Sequence, residues 1–311
     1  MIRYDLCLAW NWEYDRDFLR LLEIAFRKRR LFLLKVSPDI LNRSLSLLER
    51  GEAGARVFLD RASEADVRFL PFVDWALGRG VVMINAHENA LRAMNKACMH
   101  LEFITGGIHT PHTIILPPWI EQPQPGNIDL APLGSRFFIK PAHGGGGEGV
   151  VHQATTLEQV AAARRVFPND HYLLQAPIKP AQLGASPAWF RVIYCGGLVF
   201  PCWWDPETHI YAPVTDEEAE LHSLGVLTST ALTIANVCGL DIFSTEIAIT
   251  PERLPVAVDY VNHPLDLRLR SVTPDGVPDD IVEAIAGRIA DLTQARLAGK
   301  TPAAQSPQLP N

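Results

Sequence analysis

The feature of this sequence that most restricts its fold is a tract of glycines that follows a short apolar segment. Residues 136–151 read RFFIKPAHGGGGEGVV, so Lys140 and Pro141 stand just before the glycines. Because glycine has no Cβ, successive backbone N–H groups can close around an anionic oxygen. A neighbouring lysine supplies a point charge of the kind that binds phosphate. The tract therefore predicts a loop that binds the phosphates of a nucleotide.

Two well-known phosphate-binding loops fit this tract poorly. A P-loop ends in Gly-Lys-Ser/Thr, whereas two valines follow Gly149. The spacing of Gly144, Gly146 and Gly149 satisfies the dinucleotide-binding fingerprint, but four adjacent glycines match that fingerprint by chance. The fingerprint also opens directly into a helix, whereas residues 150–152 have the composition of a strand. We therefore predict a strand, a flexible glycine-rich flap and a returning strand, with an ordinary surface hairpin as the alternative.

The composition is that of a globular protein and narrows the classes of partner. Of the 311 residues, 48% are hydrophobic and 20% are charged, which argues against general disorder. The formal net charge of −7 provides no overall positive field for nucleic acid. An anionic cosubstrate would therefore need a local positive site, such as Lys140 in its loop.

Cysteine use and hydropathy predict a cytoplasmic protein. The 5 cysteines are scattered and form no Cys-x-x-Cys pair, as is typical of reduced thiols. No apolar run approaches the roughly 20 residues that a helix needs to cross a bilayer, so no membrane association is expected. The first residues place Asp5 before a short apolar run, which is not a secretory signal.

The order of predicted strands and helices divides the chain into four parts. In residues 1–90, strands alternate with helices, which predicts a parallel sheet covered on both faces. Residues 91–174 carry the glycine-rich flap, and residues 175–298 contain two pairs of neighbouring strands. Residues 299–311 are rich in proline, alanine and glutamine and predict a disordered tail.

Local patterns also predict where individual helices begin and end. Asp15 and its neighbours are expected to cap the first helix. One helix is predicted over residues 87–103, and one long helical region over residues 216–237. A final helix is predicted over residues 281–297.

Carboxylates inside apolar strands indicate a cation site. Glu246 and Asp259 lie on neighbouring predicted strands, and Asn262 follows closely. A buried carboxylate is costly unless it is paired or bound to a cation. Two carboxylates and an amide oxygen suit Mg²⁺, which is usually shared with substrate phosphates. The alternative is that one acid faces solvent or pairs with an arginine such as Arg191.

The order of these features resembles the ATP-grasp superfamily between about residues 80 and 268. Asn85 and Lys96 resemble a strand-end asparagine and a lysine in the following helix, and residues 107–113 resemble the approach to the central subdomain. Lys140 with the glycine tract is similar to the family's phosphate-binding lysine and loop. The segment 173–178 is similar to the hinge that receives adenine. The family's strand arginine that reaches the transferred phosphoryl group is similar to Arg191. Its Gly-Leu-Asp segment before a metal-binding acid is similar to residues 239–241 with Glu246, and its terminal acid and asparagine are similar to Asp259 and Asn262.

The resemblance implies an α/β protein of the ATP-grasp fold, in which an N-terminal parallel α/β domain precedes two α+β lobes that clamp a nucleotide. It implies ATP and Mg²⁺ as cofactors, Arg191 and Lys140 as catalytic residues, and Glu246, Asp259 and Asn262 as metal ligands. The implied nucleotide-binding residues are Lys96, Lys140, His143, Gly144, Gly145, Gly146, Gly147, Gly149, Gln175, Ala176, Pro177 and Ile178.

The sequence departs from the family pattern at two places. The family commonly has Glu-x-Asn, but Asp259 and Asn262 are three apart, so alternation along a strand would aim them at opposite faces. A bulge, or a strand that ends at Asn262, would reconcile the two, and otherwise only one of them is a ligand. The hinge has Ala176 and Pro177 where an acid often helps to position the nucleotide, so the ribose contacts are not assigned.

By this resemblance, the expected reaction is ADP-forming ligation, in which a small-molecule or peptide carboxylate is activated as an acyl phosphate and attacked by an amine. The alternatives are a kinase of a small-molecule hydroxyl and an ATP-binding module without catalysis. Trp204, His263 and Arg268 are candidate substrate contacts. Packing is the alternative for Trp204, and an ion pair with Asp266 is the alternative for Arg268. A homodimer is left open.

Overall fold

A computed structural model describes residues 2–124 and 126–299, and the predicted tail lies outside these residues except for Gly299. The strands are β1 (Ile2–Trp10), β2 (Leu33–Val36), β3 (Ala53–Arg61), β4 (Val82–Ile84), β5 (Thr113–Leu116), β6 (Phe137–Pro141), β7 (Val151–Ala154), β8 (Tyr172–Gln175), β9 (Gln182–Leu183), β10 (Ser186–Pro187), β11 (Trp189–Cys195), β12 (Leu198–Trp204), β13 (Tyr211–Pro213), β14 (Ile242–Ile249) and β15 (Pro255–Asn262). The α-helices are α1 (Arg16–Lys28), α2 (Leu41–Glu49), α3 (Leu70–Gly78), α4 (His87–Met94), α5 (Lys96–Thr105), α6 (Leu157–Arg164), α7 (Asp216–Leu221), α8 (Gly225–Cys238) and α9 (Asp279–Leu297).

The N-terminal part is a four-stranded parallel sheet in the order β2-β1-β3-β4. This arrangement confirms the parallel α/β domain that alternating strands and helices predict. Helix α1 buries Phe18 and Leu22 in a core shared with β1 and with Ile285 of α9. The last helix therefore returns to the first domain and closes one face of its sheet.

The start of α1 differs from the prediction. Asp15 makes no side-chain capping hydrogen bond and is instead almost completely buried. Its carboxylate accepts two hydrogen bonds from Arg61, at 2.6 and 3.0 Å, and Arg61 also donates to the carbonyl oxygen of Leu265 at 3.0 Å. A buried guanidinium requires a charged partner. Instead of capping a helix, Asp15 therefore orients Arg61, and Arg61 links the N-terminal sheet to the segment that follows β15.

Two of the predicted helices are each divided into two. Asn95 has extended backbone angles, and its side chain accepts a hydrogen bond from the backbone N–H of Cys98, so a new helix begins at Lys96. The predicted helical region over 216–237 is interrupted between α7 and α8, where Ser223 has a φ of 56°. Asparagine is a favoured N-cap, so its presence at residue 95 was a usable signal for the first break.

The central part is an antiparallel sheet in the order β5-β8-β6-β7. Strands β6 and β7 pair antiparallel on either side of the glycine tract, with Ile139 opposite Val151. The predicted strand–loop–strand arrangement is therefore confirmed, and neither a P-loop helix nor a dinucleotide-binding helix follows the glycines. Helix α6 begins at a capping box formed by Thr156 and Gln159 and packs against β6 and β7.

Gly149 is the glycine at which the flap meets the body of the protein. Its φ is +70°, and an added Cβ would lie 2.6 Å from Cε2 of Phe167 and 3.3 Å from Cγ of Pro141. Glycine is therefore required here both by the backbone conformation and by close packing. Gly145, in contrast, has no heavy atom within 4 Å of an added Cβ.

The C-terminal part is an antiparallel sheet in the order β13-β12-β11-β14-β15, and α8 packs against it. The hairpin predicted around Gly196 is formed by β11 and β12. Strands β14 and β15, which carry Glu246 and Asp259, are antiparallel neighbours. Within the described ranges, no helix is both long enough and apolar enough to cross a membrane.

Replacing Asp15 with alanine is expected to lower the free energy of unfolding by about 3–5 kcal/mol, because it leaves Arg61 buried without its counter-charge. Chemical denaturation measures the change. The matched control is Asp17→Ala, which removes an acid paired with the exposed Arg20 and should cost less than about 1 kcal/mol. Equal effects of the two substitutions would contradict a stabilising role for the buried pair.

Replacing Gly149 with alanine is expected to cost about 1–3 kcal/mol of unfolding free energy, because the methyl group would overlap the Phe167 ring. Gly145→Ala in the same loop is the control and should leave stability within about 0.5 kcal/mol of wild type. Urea titration of both variants provides the comparison, and a neutral Gly149→Ala would show that the contact does not constrain the flap.

Candidate active site

A cleft of about 680 Å³ lies where the three parts of the chain meet. Its lining includes Glu64 after β3, the glycine-rich flap, the end of β8, and the β11, β14 and β15 strands. Of the residues predicted from sequence, the structure brings the following together in this lining: Lys96, Lys140, Gly144, Gly145, Gly146, Gly147, Gln175, Ala176, Pro177, Ile178, Arg191, Glu246, Asp259, Asn262 and His263.

The start of the flap is held by α5. The backbone N–H of Lys96 donates to the carbonyl oxygen of Ala142 at 2.8 Å, and the Lys96 ammonium donates to the carbonyl oxygen of Gly144. Because Asn95 breaks the helix just before Lys96, the lysine stands at the first position of α5 and faces the glycines. The flap and the first lysine of the site are thus positioned by the same helix break.

Lys140 is half-buried in the wall of the cleft. Its ammonium donates to Oε1 of Gln175 at 2.7 Å, while the amide nitrogen of Gln175 donates to the Tyr260 hydroxyl at 3.0 Å. Burial lowers the pKa of Lys140, and the charges of Asp259 and Glu246 oppose that shift. The lysine therefore faces the acidic strands across the cleft and interacts with their charge.

A row of three charged side chains crosses the C-terminal sheet. Arg191 on β11 is directly opposite Glu246 on β14, which is in turn opposite Asp259 on β15. The Arg191 guanidinium donates to Oε1 of Glu246, and its Nε donates to Oγ of Ser244 at 3.1 Å. Like charges directly opposite each other destabilise a sheet. The repulsion between the two acids is therefore offset by Arg191, which pairs with Glu246, and by the positive charge of Lys140 across the cleft.

The ionisation of Asp259 follows from this arrangement. Burial favours the neutral acid, but Lys140, Lys96 and Arg191 together hold the pKa of Asp259 below its ordinary value. For Arg191, burial favours the neutral form, but the nearby acids, Glu246 first, raise its pKa. The site thus keeps both signs of charge in a region largely removed from solvent.

A bulge in β15 resolves the spacing of Asp259 and Asn262. Ser244 is opposite Asn262, Glu246 is opposite Asp259, and Ile247 is opposite Ala257, so β15 carries an extra residue on each side of Asp259. An extra residue reverses the alternation of side chains along a strand. Asp259 and Asn262 can therefore both face the cleft although they are three residues apart.

The donor set at this bulge fits a hard divalent cation. Two carboxylates on paired strands and the amide of Asn262 provide oxygen ligands, which Mg²⁺ prefers. In residues 2–124 and 126–299, no group of three or more histidine, cysteine, aspartate or glutamate side chains forms a metal site.

His143 and Gly149 lie outside the cleft lining. The backbone N–H of His143 donates to Asp170 at 2.8 Å, and the His143 ring lies 2.8 Å from the other oxygen of that carboxylate. The side chain therefore fastens the outer side of the flap, where the sequence had suggested a nucleotide contact. Gly149 packs against Phe167, as described above.

Trp204 and Arg268 also lie outside the lining. The Trp204 ring lies under Arg191, 5.2 Å from the guanidinium carbon, and is stacked on His209. Arg268 donates to Asp266 and to Asp275, both at 2.8 Å. Packing for Trp204 and ion pairing for Arg268, the alternatives left open by the sequence, are the arrangements found in the structure.

Several side chains of the site were not identified from the sequence. Trp189 donates its ring N–H to Glu246 at 3.3 Å. Glu64 lines the cleft, and desolvation together with Asp60 raises its pKa to about 7 against the opposing charge of Lys96. Glu64 follows the carboxyl end of a parallel strand, a position at which α/β proteins commonly bind ligands, so a signal for it was present.

His263 is held from the N-terminal domain. Its Nδ1 lies 3.0 Å from the amide nitrogen of Asn85, which is itself buried. Burial and the nearby charge of Arg61 lower the pKa of His263 to about 4, so the imidazole is neutral around pH 7. From the sequence, Asn85 was identified only as an asparagine at the end of a strand. Its contact with His263 could not be inferred from spacing.

No family model and no curated protein matches the sequence. Solved structures do match. A RimK domain ATP-grasp protein from Sphaerobacter thermophilus is 21% identical over 92% of this chain and 98% of its own, with a TM-score of 0.63.

Two further matches have the same architecture. The D-alanine–D-alanine ligase from Bacillus anthracis, complexed with ATP, is 14% identical over 96% of this chain and 98% of its own, with a TM-score of 0.64. The ATP-grasp ligase PsnB, complexed with minimal precursor, Mg and ADP, is 12% identical over 96% of this chain and 100% of its own, with a TM-score of 0.61. Near-complete coverage of both chains at these scores shows that the protein has the ATP-grasp fold.

Proposed function

We propose that the protein is an ATP-dependent ligase that activates a carboxylate as an acyl phosphate and joins it to an amine. The observation that carries this proposal is the convergence of Lys96, Lys140 and the glycine-rich flap with Arg191 and the acidic strands around one cleft. A nucleoside triphosphate requires positively charged side chains that contact its phosphate oxygens. It also requires oxygen ligands for the metal ion that accompanies those phosphates.

In this proposal the nucleotide lies between the flap and the hinge. The backbone around residues 175–178 receives the adenine, and Lys96 and Lys140 contact the α and β phosphates. Lys140 is suited to this role because burial already disfavours its charge, so an anionic phosphate would be a favourable partner. The flap residues Gly144–Gly147 can approach the phosphates closely because they have no side chains.

Glu246, Asp259 and Asn262 would hold Mg²⁺. When bound, this cation would neutralise phosphate oxygens during transfer. Arg191 contributes a second positive charge beside it, and its orientation is set by Glu246, Ser244 and the underlying Trp204 ring. A guanidinium held in this way stabilises charge on the γ-phosphoryl group without having to reorganise during the reaction.

The proposed reaction has two steps. A carboxylate oxygen of the substrate attacks the γ-phosphorus, the bond from that phosphorus to the β–γ bridging oxygen breaks, and ADP leaves. The amine then attacks the acyl carbon, and the carbon–oxygen bond to phosphate breaks. Phosphate leaves with that electron pair and the amine loses one proton, so the products are an amide, ADP and phosphate. The flap would exclude water that could hydrolyse the acyl phosphate.

The structural matches support the ligase class over the alternatives. Two of them are described as a D-alanine–D-alanine ligase and an ATP-grasp ligase, and others as a D-cycloserine synthetase, as a macrocyclase bound with a precursor peptide and as a second macrocyclase. Their identities to this chain are too low to transfer a substrate. The carboxylate and amine are therefore proposed only as chemical classes.

Lys140→Ala and Glu246→Ala are each expected to reduce turnover by at least about 10²-fold, because the first removes a positive charge that contacts the phosphates and the second removes an oxygen ligand of the proposed Mg²⁺. ADP release is the measured quantity, and thermal unfolding establishes that the variants are folded. Lys179→Ala, which removes an exposed lysine just beyond the hinge, is the control and should retain wild-type turnover. Wild-type activity in folded Lys140→Ala or Glu246→Ala would contradict the proposal.

Hydroxylamine provides a test of the reaction class, because it attacks acyl phosphates as a small amine. With Mg-ATP, hydroxylamine and a panel of amino acids and dipeptides, we expect hydroxamate, ADP and phosphate in equal amounts for at least one carboxylate. ADP without free phosphate would identify a kinase. Binding of Mg-ATP without turnover across the panel and across small-molecule alcohols would identify a module without catalysis.

A further inference from the structure

The hydrogen bonds of Asn85 define the orientation of its side-chain amide. Its Oδ1 lies 2.7 Å from the backbone nitrogen of Asp241 and 2.9 Å from that of Ile242, and backbone N–H groups can only donate. Its Nδ2 lies 2.7 Å from the carbonyl oxygen of Ile242, which can only accept. Three backbone contacts therefore assign the oxygen and the nitrogen of this amide without ambiguity.

The orientation of Asn85 in turn defines the tautomer of His263. The same Nδ2 lies 3.0 Å from Nδ1 of His263, so this contact is a hydrogen bond only if Nδ1 is the acceptor. A neutral imidazole that accepts at Nδ1 carries its proton on Nε2. His263 is thus held as a neutral group with an N–H donor at the ring atom farthest from Asn85.

This donor belongs to a residue that lines the cleft. His263 directly follows Asn262, the last residue of β15, and forms part of the cleft wall. In the described part of the chain, Nε2 has no protein hydrogen-bond partner, whereas Nδ1 is occupied by Asn85. A donor on a residue of the cleft wall that has no protein acceptor can be satisfied by an acceptor on a bound ligand.

We propose that His263 donates its Nε2–H to the acyl oxygen of the carboxylate substrate, and that Asn85 is the positioning residue that fixes this tautomer. The inference rests on the proposed function and adds a specific contact to the acyl group. Its ligand class is a carboxylate that becomes an acyl phosphate.

The position of His263 favours the acyl group over the phosphates as its partner. The lysines and glycines that suit phosphates belong to α5, β6 and the flap, on the central lobe. His263 instead lies at the junction with the N-terminal domain, beside Asn85 and close to Asp60 and Arg61. The attacking carboxylate must lie beyond the γ-phosphoryl group, in line with the leaving oxygen. The wall beyond Asn262 is therefore the side on which that carboxylate would be bound.

The contact would matter most when the amine adds to the acyl carbon. Addition places a full negative charge on the acyl oxygen, and the charge returns to a carbonyl when the bond to phosphate breaks. A preorganised donor aimed at this oxygen lowers the barrier to both events. Because the proton stays on Nε2, His263 stabilises the oxyanion without transferring a proton.

Two substitutions separate this role from a purely structural one. An asparagine at residue 263 can place its Oδ1 where Nδ1 stands, which keeps the contact with Asn85 but removes the donor. A glutamine reaches as far as Nε2 and restores a donor there. A structural role for His263 would favour the asparagine variant, whereas the proposed role favours the glutamine variant.

The experiment measures hydroxamate formation by wild type, His263→Asn and His263→Gln with the best carboxylate of the panel above. We expect kcat to fall about 10²-fold to 10³-fold in His263→Asn, as for loss of one oxyanion donor, with the Kd of Mg-ATP unchanged. His263→Gln should remain within about tenfold of wild type. His171→Asn changes an exposed histidine outside the cleft lining and should match wild type.

The tautomer is measured independently of activity. Nitrogen-15 NMR of the histidine-labelled protein at neutral pH should assign the proton of His263 to Nε2, with His263→Asn identifying the signal. Asn85→Asp, which presents an oxygen to Nδ1, should move a proton to Nδ1. A wild-type proton on Nδ1 would overturn the inference.

The kinetic outcomes separate the inference from the proposed function. Active wild type with an equally active His263→Asn would overturn the inference and leave the ligase proposal standing. Wild type that forms no hydroxamate with any carboxylate of the panel would overturn the ligase proposal and this inference with it. A selective loss in His263→Asn, together with the Nε2 tautomer, supports both.

Discussion

Charge compensation among partly or fully buried side chains is the interaction on which the site depends. Glu246 and Asp259 lie opposite each other on the paired strands β14 and β15, and their carboxylates would repel each other without a nearby positive charge. Arg191 lies beside Glu246, and Lys140 interacts with both acids from the opposite lobe. The two lobes therefore hold complementary charges, and a bound polyphosphate with its cation would enter an electrostatic arrangement that already exists.

The backbone irregularities of the fold serve this arrangement. The break at Asn95 places Lys96 at the start of a helix and beside the flap. The bulge in β15 turns Asp259 and Asn262 toward the same cleft. Gly149 allows the flap to return to the sheet against Phe167. Each irregularity departs from regular secondary structure at a position where a functional side chain or loop must be aimed, and regular periodicity would have aimed it elsewhere.

Much of the fold could be predicted because its signals are local. Alternating apolar segments indicated the parallel sheet, and the glycine tract between two apolar strands indicated the flap. The failures involved competition between local and distant partners. Asp15 has the residue type and position of a helix cap, but a buried arginine 46 positions later takes its carboxylate. For Arg268 the sequence left a substrate contact and an ion pair with Asp266 as alternatives, and in the structure the guanidinium donates to Asp266 and Asp275.

By itself, the sequence determined the order of elements, the glycine-rich flap between two strands and the presence of carboxylates within apolar strands, because these depend on spacing and chemistry within short segments. Only the tertiary structure decided that Asp259 and Asn262 line the same cleft, that Glu64 joins it, and that Asn85 contacts His263. These features arise from strand register and from contacts between residues 156 to 178 positions apart, as in the bonds of Asn85. No local pattern encodes such contacts, because they form only when the domains pack together.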